Sequence, residues 1–228
     1  VLGHKHTEVR KFLKPGIKVV IQKRLLGSAD AVKQAKSALK GFKGSVLVLY
    51  ADHPLLKKET LKQLIQYHID NNPDTTLLTA KVKDPSGYGR ILRDKYGSIY
   101  GIAEEKDADD FQKDIKEINI GCAIFKKEKL FDALKQVKRN SRKKEYYLTD
   151  VVAILYKKGC VIEAIKLSGL KEAVGINSRY DLAKANNIMQ ARILQEHMKN
   201  GVTVVAPETT FIDWGVEIGA DTKIYPFT

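Results

Sequence analysis

The sequence has few of the features that mark membrane, secreted or cysteine-rich proteins. No apolar run approaches the roughly 20 residues that cross a bilayer, so we expect no membrane partner. Only two cysteines occur in 228 residues, far apart and in apolar surroundings. They predict buried free thiols in a reducing, cytoplasmic compartment rather than disulfides or a thiolate metal site. Residues 1–7 lack an initiator methionine and the leader and cleavage site of a signal peptide, so we expect the interior of a longer chain.

Several catalytic signatures are absent as well. The five histidines have no metal-ligand spacing, and no Walker or Gly-x-Ser-x-Gly pattern occurs. The net charge of +13 permits binding of phosphorylated substrates. The lysines are scattered, without the interleaved aromatic residues of a nucleic-acid surface. We therefore expect a solvated basic surface and no nucleic-acid partner.

What the sequence does contain is an alternation of apolar runs and amphipathic segments. Hydrophobic residues make up 43% of the chain, enough for one large core or for a large domain with a small one. Strands are expected at residues 19–21, 46–50, 75–82, 118–125 and 161–166, a hairpin at 87–104, and helices at 28–39, 58–71, 129–137 and 148–157. This alternation predicts a Rossmann-like α/β fold with a parallel sheet.

The last fifty residues have a different pattern. Residues 179–199 are typical of one long helix, and Gly201 is a suitable C-terminal cap. Ile212, Ile218 and Ile224 then recur every six residues, the spacing of a hexapeptide β-helix, although ordinary edge strands could show it too. We expect a large α/β domain at 1–178, a linker helix at 179–200 and the start of a hexapeptide β-helix at 201–228.

A continuous apolar run over residues 45–50 leads into Ala51 and Asp52. Such a run is typical of a parallel strand buried on both faces. A carboxylate at its carboxyl end would lie in the crevice where open α/β sheets bind ligands. Asp is also a common turn and cap residue, so a purely structural role for Asp52 stays open.

Other residues could serve either a ligand or a turn. Gly27 and Ser28 precede a helix, where backbone N–H groups can approach a phosphate or a base edge, and Ser28 is also a plausible N-cap. Glu104 and Asn119 carry groups that anchor sugar hydroxyls when buried, but isolated residues of these types are more often surface groups. Thr149 and Asn177 stand at the starts of two helices, where each is a candidate N-cap.

Short motifs follow one another along nearly the whole chain: Leu26-Gly27-Ser28, Leu49-Tyr50-Ala51-Asp52-x-Pro54-Leu55, Gly87-Tyr88-Gly89-Arg90, Glu104-x-Lys106-Asp107-Ala108, Glu117-Ile118-Asn119-x-Gly121, Glu145-Tyr146-Tyr147-Leu148-Thr149-Asp150 and Gly175-x-Asn177-x-Arg179. Each is weak alone, but their order and spacing are specific. Together they resemble the uridylyltransferase domain of the bacterial bifunctional N-acetylglucosamine-1-phosphate uridylyltransferase/glucosamine-1-phosphate acetyltransferase family.

The resemblance implies transfer of UMP from UTP to N-acetylglucosamine-1-phosphate, giving UDP-N-acetylglucosamine for cell-wall precursors, with Mg²⁺ as cofactor. It implies that Asp52 and Asn177 hold the metal and act in catalysis, and that Gln22, Gly27 and Ser28 contact uracil. The implied sugar pocket contains Gly87, Glu104, Asn119, Thr149, Glu145 and Tyr147, with Tyr50 and Ala51 lining the same crevice. The resemblance also implies that residues 1–178 form a nucleotidyltransferase domain and that residues 201–228 begin a left-handed β-helix. For the full-length protein it implies acetyltransferase activity and a homotrimer.

The chain departs from the family pattern at two motifs and at its beginning. Asp30 stands where the family has His, and Ala51 where it has Gly. The family's first strand and its Gly-rich triphosphate loop precede the position of Val1, so we expect residues 1–228 alone to be inactive. Another sugar-1-phosphate nucleotidylyltransferase and a non-catalytic scaffold or regulatory relative are the alternatives.

Overall fold

A computed structural model describes residues 1–141, 144–167 and 169–228, without the side chain of Leu170. The chain divides into two compact units, Val1–Tyr50 with Lys58–Ser168, and Ala51–Lys57 with Gly169–Thr228. The domain boundaries expected from the sequence stay predictions. Among the described residues, no helix has both the length and the apolar character needed to cross a membrane.

The first unit is a mixed sheet with helices packed against it. In chain order its elements are α1 (His6–Arg10), α2 (Ser28–Gln34), β1 (Ser45–Leu49), α3 (Lys58–Asn71), β2 (Thr75–Lys81), β3 (Arg90–Arg93), β4 (Ile99–Ala103), α4 (Asp110–Lys113), β5 (Glu117–Lys126), α5 (Lys127–Leu134), α6 (Asp150–Lys157) and β6 (Ile162–Lys166). The hydrophobic core includes Leu77, Phe125, Leu130, Val151 and Leu155. A Rossmann-like α/β architecture is thereby confirmed.

The expectation of a parallel sheet is wrong in its strand directions. The order is β4-β3-β5-β2-β6, with β1 also paired to β5. The ten-residue β5 runs antiparallel to β1, β2 and β3, and in this sheet only β2 and β6 pair in parallel among the described residues. An apolar run favours a parallel strand only because parallel sheets are usually covered on both faces. An antiparallel strand covered by neighbouring elements shows the same run, so the sequence could not distinguish the two cases.

The antiparallel strand β5 leaves a gap along one of its edges. One edge pairs with β2 at residues 117–119 and 123–125, with a register shift between the two stretches, while the other edge pairs with β1 at residues 122–126 and with β3 at Ile118. Residues 119–121 therefore lie between the two partner strands. Gly121 has a φ of +67°, which a residue with a Cβ rarely adopts. This irregularity lies two residues from Asn119.

Several local expectations need correction. Strand β1 is half-buried rather than buried on both faces, and Leu49 is 46% exposed. Residues 19–21 form no strand, since Ile21 makes only an isolated bridge to Leu2. Helix α2 ends at Gln34 instead of residue 39. Cys122 is buried, which raises the pKa of its thiol to about 12, whereas Cys160 is only half-buried.

The second unit contains α7 (Arg179–Lys199), the short parallel pair β7 (Thr203–Val204) and β8 (Lys223–Ile224), and 3-10 turns at Leu170–Glu172 and Pro207–Thr209. Ser178 caps α7 through a capping box with Asp181, so the expected cap at Asn177 is wrong. The periodic Ile212, Ile218 and Ile224 all contribute to one apolar cluster at the carboxyl end of α7. The β-helix stays a prediction, because a single two-residue strand pair is no coil.

Candidate functional site

The turn before α2 is held against a segment that lies more than 100 residues later in the sequence. The backbone N–H of Tyr146 donates to the carbonyl of Leu26 at 2.7 Å, and that of Ala29 donates to the carbonyl of Tyr146 at 2.9 Å. Gly27, with φ +101°, takes the N-cap position of α2, and a Cβ there would lie 2.5 Å from the Tyr146 carbonyl oxygen. Only glycine fits this close approach of two backbones.

Ser28 contributes its hydroxyl to the same junction. Its Oγ accepts a 2.9 Å hydrogen bond from the backbone N–H of Leu148. Ser28 is thus the first helical residue and not the N-cap that the sequence suggested, because its side chain serves the neighbouring segment instead of its own helix. The turn at residues 26–28 and the segment 145–149 form one hydrogen-bonded framework. This framework joins residues expected at the base to residues expected at the sugar.

Thr149 links the framework to Glu104 at the end of β4. The Thr149 hydroxyl, 5% exposed, donates a 2.7 Å hydrogen bond to Glu104 Oε1. Thr149 occupies the N-cap position of α6 but makes no side-chain cap bond, so its hydroxyl serves the carboxylate. A small cavity lies beside this pair and is lined by Tyr50, Asn119, Gly121, Thr149 and apolar core residues. Tyr50 closes it by stacking its ring on the Cα of Gly121 and donating its backbone N–H to the Gly121 carbonyl at 3.2 Å.

The electrostatics around Glu104 favour neutral hydrogen-bond donors. Burial raises the pKa of the Glu104 carboxyl, the charge of Asp107 raises it further, and the Thr149 hydroxyl opposes the rise. The pKa of Asp150 is raised by burial and by Glu104 and Asp107, and that of the Tyr147 phenol by burial and nearby carboxylates. A buried carboxylate with too few donors is costly, and sugar hydroxyls can supply the missing hydrogen bonds.

The other residues expected near the sugar come from several different elements. Asn119 is half-buried on β5, and its backbone N–H donates to the carbonyl of Gly89 at 2.8 Å. Gly87 is exposed in the turn before β3, with φ +85° and open space where a Cβ would be. Glu145 packs its Cβ against the position of Gly27. Ala51 is exposed and belongs to the second unit.

A buried arginine braces the hairpin that leads to Glu104. Arg90, at the start of β3, is 1% exposed, and its guanidinium pairs with the Glu105 carboxylate at 2.5 Å and donates to the Tyr88 carbonyl. An arginine beside two glycines could either contact a phosphate or brace a carboxylate. Because the Arg90 guanidinium is bound within the protein, its role here is structural. Its ion pair positions Glu105, the residue next to Glu104.

In the second unit, the structure brings the two residues expected to bind metal to neighbouring backbone positions. The backbone N–H of Ile176, which precedes Asn177, donates to the Asp52 carbonyl at 2.8 Å. The ring of His53 packs on Gly175, where a Cβ would lie 3.1 Å from it. His53 Nε2 lies 4.0 Å from Asp52 Oδ1, and burial lowers the pKa of His53 while Asp52 opposes this. Residues separated by 125 positions in the sequence therefore share one loop junction.

The donor set of this junction fits Mg²⁺. Asp52 offers a carboxylate whose side chain is 43% exposed, and Asn177 is exposed with no hydrogen bond to its side chain from the described residues. Mg²⁺ prefers hard oxygen ligands and commonly takes one or two protein groups along with substrate phosphates. No group of three or more His, Cys, Asp or Glu side chains that could hold a metal occurs in 1–141, 144–167 and 169–228. A substrate-dependent Mg²⁺ site is the kind that these residues suit.

Comparison with known proteins agrees with this geometry. Residues 4–202 match the nucleotidyl transferase family. The bifunctional protein GlmU of Acetivibrio thermocellus is 44% identical over the whole chain, which covers 50% of that protein. That of Enterococcus faecalis is 43% identical over 98% of the chain and 49% of its own length. The chain thus spans about half the length of the curated relatives it matches, and the resemblance drawn from its motifs is confirmed.

Solved structures support the fold. A structure described as a putative glucose-1-phosphate thymidylyltransferase from Bacillus anthracis in complex with sucrose superposes with a TM-score of 0.58 at 20% identity. The match covers 73% of this chain and 66% of that one. A UDP-glucose pyrophosphorylase complexed with UDP-glucose superposes with a TM-score of 0.54 at 17% identity, over 72% and 70%. Family profile, full-chain relatives and fold agree, and the chain belongs to the nucleotidyl transferase family.

Proposed function

We propose that this chain supplies base and sugar contacts for the transfer of UMP from UTP to N-acetylglucosamine-1-phosphate, which the complete gene product carries out with release of pyrophosphate and UDP-N-acetylglucosamine. The observation that carries the proposal is the framework that joins Gly27 and Ser28, through residues 145–149, to Glu104. To bind a nucleotide-sugar, a protein must hold its base contacts and its sugar contacts in fixed positions relative to each other. A framework of short backbone hydrogen bonds supplies that register at low entropic cost.

The sugar side of the proposal depends on groups that are incompletely paired. Glu104 Oε1 accepts from Thr149, and the amide of Asn119 borders the cavity with its Oδ1 accepting from the Gly121 N–H at 3.3 Å. Sugar hydroxyls and an acetamido N–H would complete these hydrogen bonds. Leaving such groups unpaired costs about 1–3 kcal/mol each, so a substrate that pairs them is strongly preferred over one that does not.

The transfer itself requires little proton transfer by the protein. The attacking phosphate oxygen of the sugar phosphate is already ionised at neutral pH, so no general base is required. Rate enhancement then comes from alignment of the attacking oxygen with the α-phosphorus and from neutralisation of phosphate charge. Asp52 and Asn177 are proposed to hold Mg²⁺, which supplies part of that neutralisation when bound.

A substrate panel tests this proposal. The complete gene product is assayed with UTP, dTTP, CTP and ATP, each with N-acetylglucosamine-1-phosphate, glucose-1-phosphate or N-acetylgalactosamine-1-phosphate, and kcat/KM is measured for each pair. We expect the highest value for UTP with N-acetylglucosamine-1-phosphate, by about 10²-fold over glucose-1-phosphate, because the acetamido group is lost in the latter. A better rate with another sugar phosphate would assign the chain to a different nucleotidylyltransferase. No turnover with any pair would favour a non-catalytic relative.

The wider properties implied by the resemblance stay predictions. Acetyl transfer, a homotrimer, a role in cell-wall precursor synthesis and a cytoplasmic location belong to the proposal for the complete gene product.

A further inference from the structure

The side-chain amide of Gln22 is held in one orientation by two acceptors. Its Nε2 donates to Asp30 Oδ2 at 2.8 Å and to the Gly27 carbonyl at 3.1 Å. Both protons of the amide group are therefore in use. Turning the amide by 180° would set its oxygen against a carboxylate and a carbonyl, so this orientation follows from the hydrogen bonding around it.

Asp30 is itself fixed by a second contact. Gln34, one turn later in α2, donates from Nε2 to Asp30 Oδ1 at 3.3 Å. The carboxylate thus has one oxygen on Gln22 and the other on its own helix. Gln22 is only 8% exposed, which limits the alternative rotamers that its side chain can reach. The Gln22–Asp30 pair is a small, ordered network beside the turn at residues 26–28.

The oxygen of the same amide is left available. Gln22 Oε1 accepts no hydrogen bond from the residues that the structure describes, and it is absent from the buried polar atoms that lack a partner. On that side Oε1 lies near Gly3, since a Cβ built on Gly3 would be 3.7 Å from it. The amide therefore presents a lone acceptor, and not a donor, to whatever binds there.

We infer that Asp30 is a specificity-determining residue that acts through Gln22. It fixes the amide so that an acceptor faces the nucleotide base. Uracil and thymine carry an N–H at the imide position and can donate to this acceptor, whereas cytosine has an acceptor at the same ring position and is rejected. This inference rests on the proposed function, since it takes Gln22 to contact the base of the nucleotide.

The test uses substitutions that separate the two contacts of Asp30. Asp30→Ala removes the acceptor for Gln22, and Asp30→Asn keeps an acceptor oxygen without the charge. Gln34→Ala is the matched control, since it removes a hydrogen bond to Asp30 while both bonds of Gln22 remain. The readout in the complete gene product is the ratio of kcat/KM for UTP to that for CTP, with KM and kcat resolved separately and folding checked by thermal unfolding.

We expect Asp30→Ala to lower this ratio about tenfold, mainly through a higher KM for UTP, because a freely rotating amide no longer favours an imide donor. Asp30→Asn should retain most of the ratio, and Gln34→Ala should leave it unchanged. In a Gln22→Ala background, Asp30→Ala should have no further effect, because coupled residues are not additive.

Two results would overturn the inference while leaving the proposed function intact. One is an unchanged ratio in a folded Asp30→Ala protein. The other is an equal loss of the ratio with and without Gln22, which would mean that Asp30 acts by another route. A wild-type protein that uses CTP as well as UTP would instead contradict the proposed base preference and this inference together.

Discussion

Replacing Asp52 with alanine is expected to lower kcat by about 10³-fold or more at saturating substrates and Mg²⁺. The carboxylate is the only charged ligand proposed for the metal at this junction, and Asn177 can supply only a neutral oxygen. The fold should survive the change, because the Asp52 side chain is 43% exposed and the bond to Ile176 uses the Asp52 backbone carbonyl. The measurement is steady-state turnover across a Mg²⁺ titration.

The matched control for this substitution is Asp110→Ala. Asp110 is an exposed acid whose side chain pairs with Lys113 within its own short helix, at 3.4 Å. Its removal changes the net charge by the same amount and should leave turnover within about twofold, as expected for a surface substitution. If Asp52→Ala retains most of the wild-type turnover once Mg²⁺ is saturating, Asp52 does not hold the metal.

Replacing Glu104 with glutamine is expected to weaken sugar-phosphate binding and stabilise the protein at the same time. A buried carboxylate accepts strongly from sugar hydroxyls, so its loss should raise the KM for N-acetylglucosamine-1-phosphate by about 10–100-fold with a smaller change in the KM for UTP. The pKa of Glu104 is raised, chiefly by burial. Its ionised form therefore costs stability at neutral pH, and the cost grows as pH rises through the folded-state pKa.

Thermal unfolding at several pH values measures the second half of this prediction. Between pH 6 and 8, the melting temperature of Glu104→Gln should equal or exceed that of the wild type, and the difference should shrink as pH falls towards 4. Glu128→Ala, a substitution on α5 outside the site, serves as the control for both readouts. A Glu104→Gln protein that is less stable at pH 7.5 but binds the sugar phosphate normally would assign Glu104 a structural role alone.

The sequence predicted local elements best where their signals were local. The bounds of α3 and α7 match the expected spans, because amphipathic periodicity marks α3 and Gly201, with φ +91°, ends α7. The hairpin at β3 and β4 follows from the Asp94–Gly97 turn, whose amide N–H of Gly97 donates to Asp94 at 3.0 Å. Strand direction and the gap in β5 could not be predicted, because they depend on which strands meet in space.

The site residues likewise divide into those that local motifs predict and those whose contacts only the tertiary structure shows. The motifs carried Asp52, Glu104, Asn119 and Thr149, but only the tertiary structure reveals that Thr149 donates to Glu104 instead of capping its helix. The sequence showed that Asp30 departs from the family pattern but not what its side chain does, since its partner Gln22 is eight residues earlier and outside any helix. No local pattern encodes a hydrogen bond of this kind.

The most direct measurement follows the phosphorus atoms of UTP. The complete gene product is incubated with Mg²⁺, N-acetylglucosamine-1-phosphate and UTP labelled at either the α- or the γ-phosphate. We predict that the α label appears in UDP-N-acetylglucosamine, that the γ label appears in an equal amount of pyrophosphate, and that chelation of Mg²⁺ abolishes both. Release of labelled orthophosphate, a γ label on the sugar, or no product under these conditions would contradict the account.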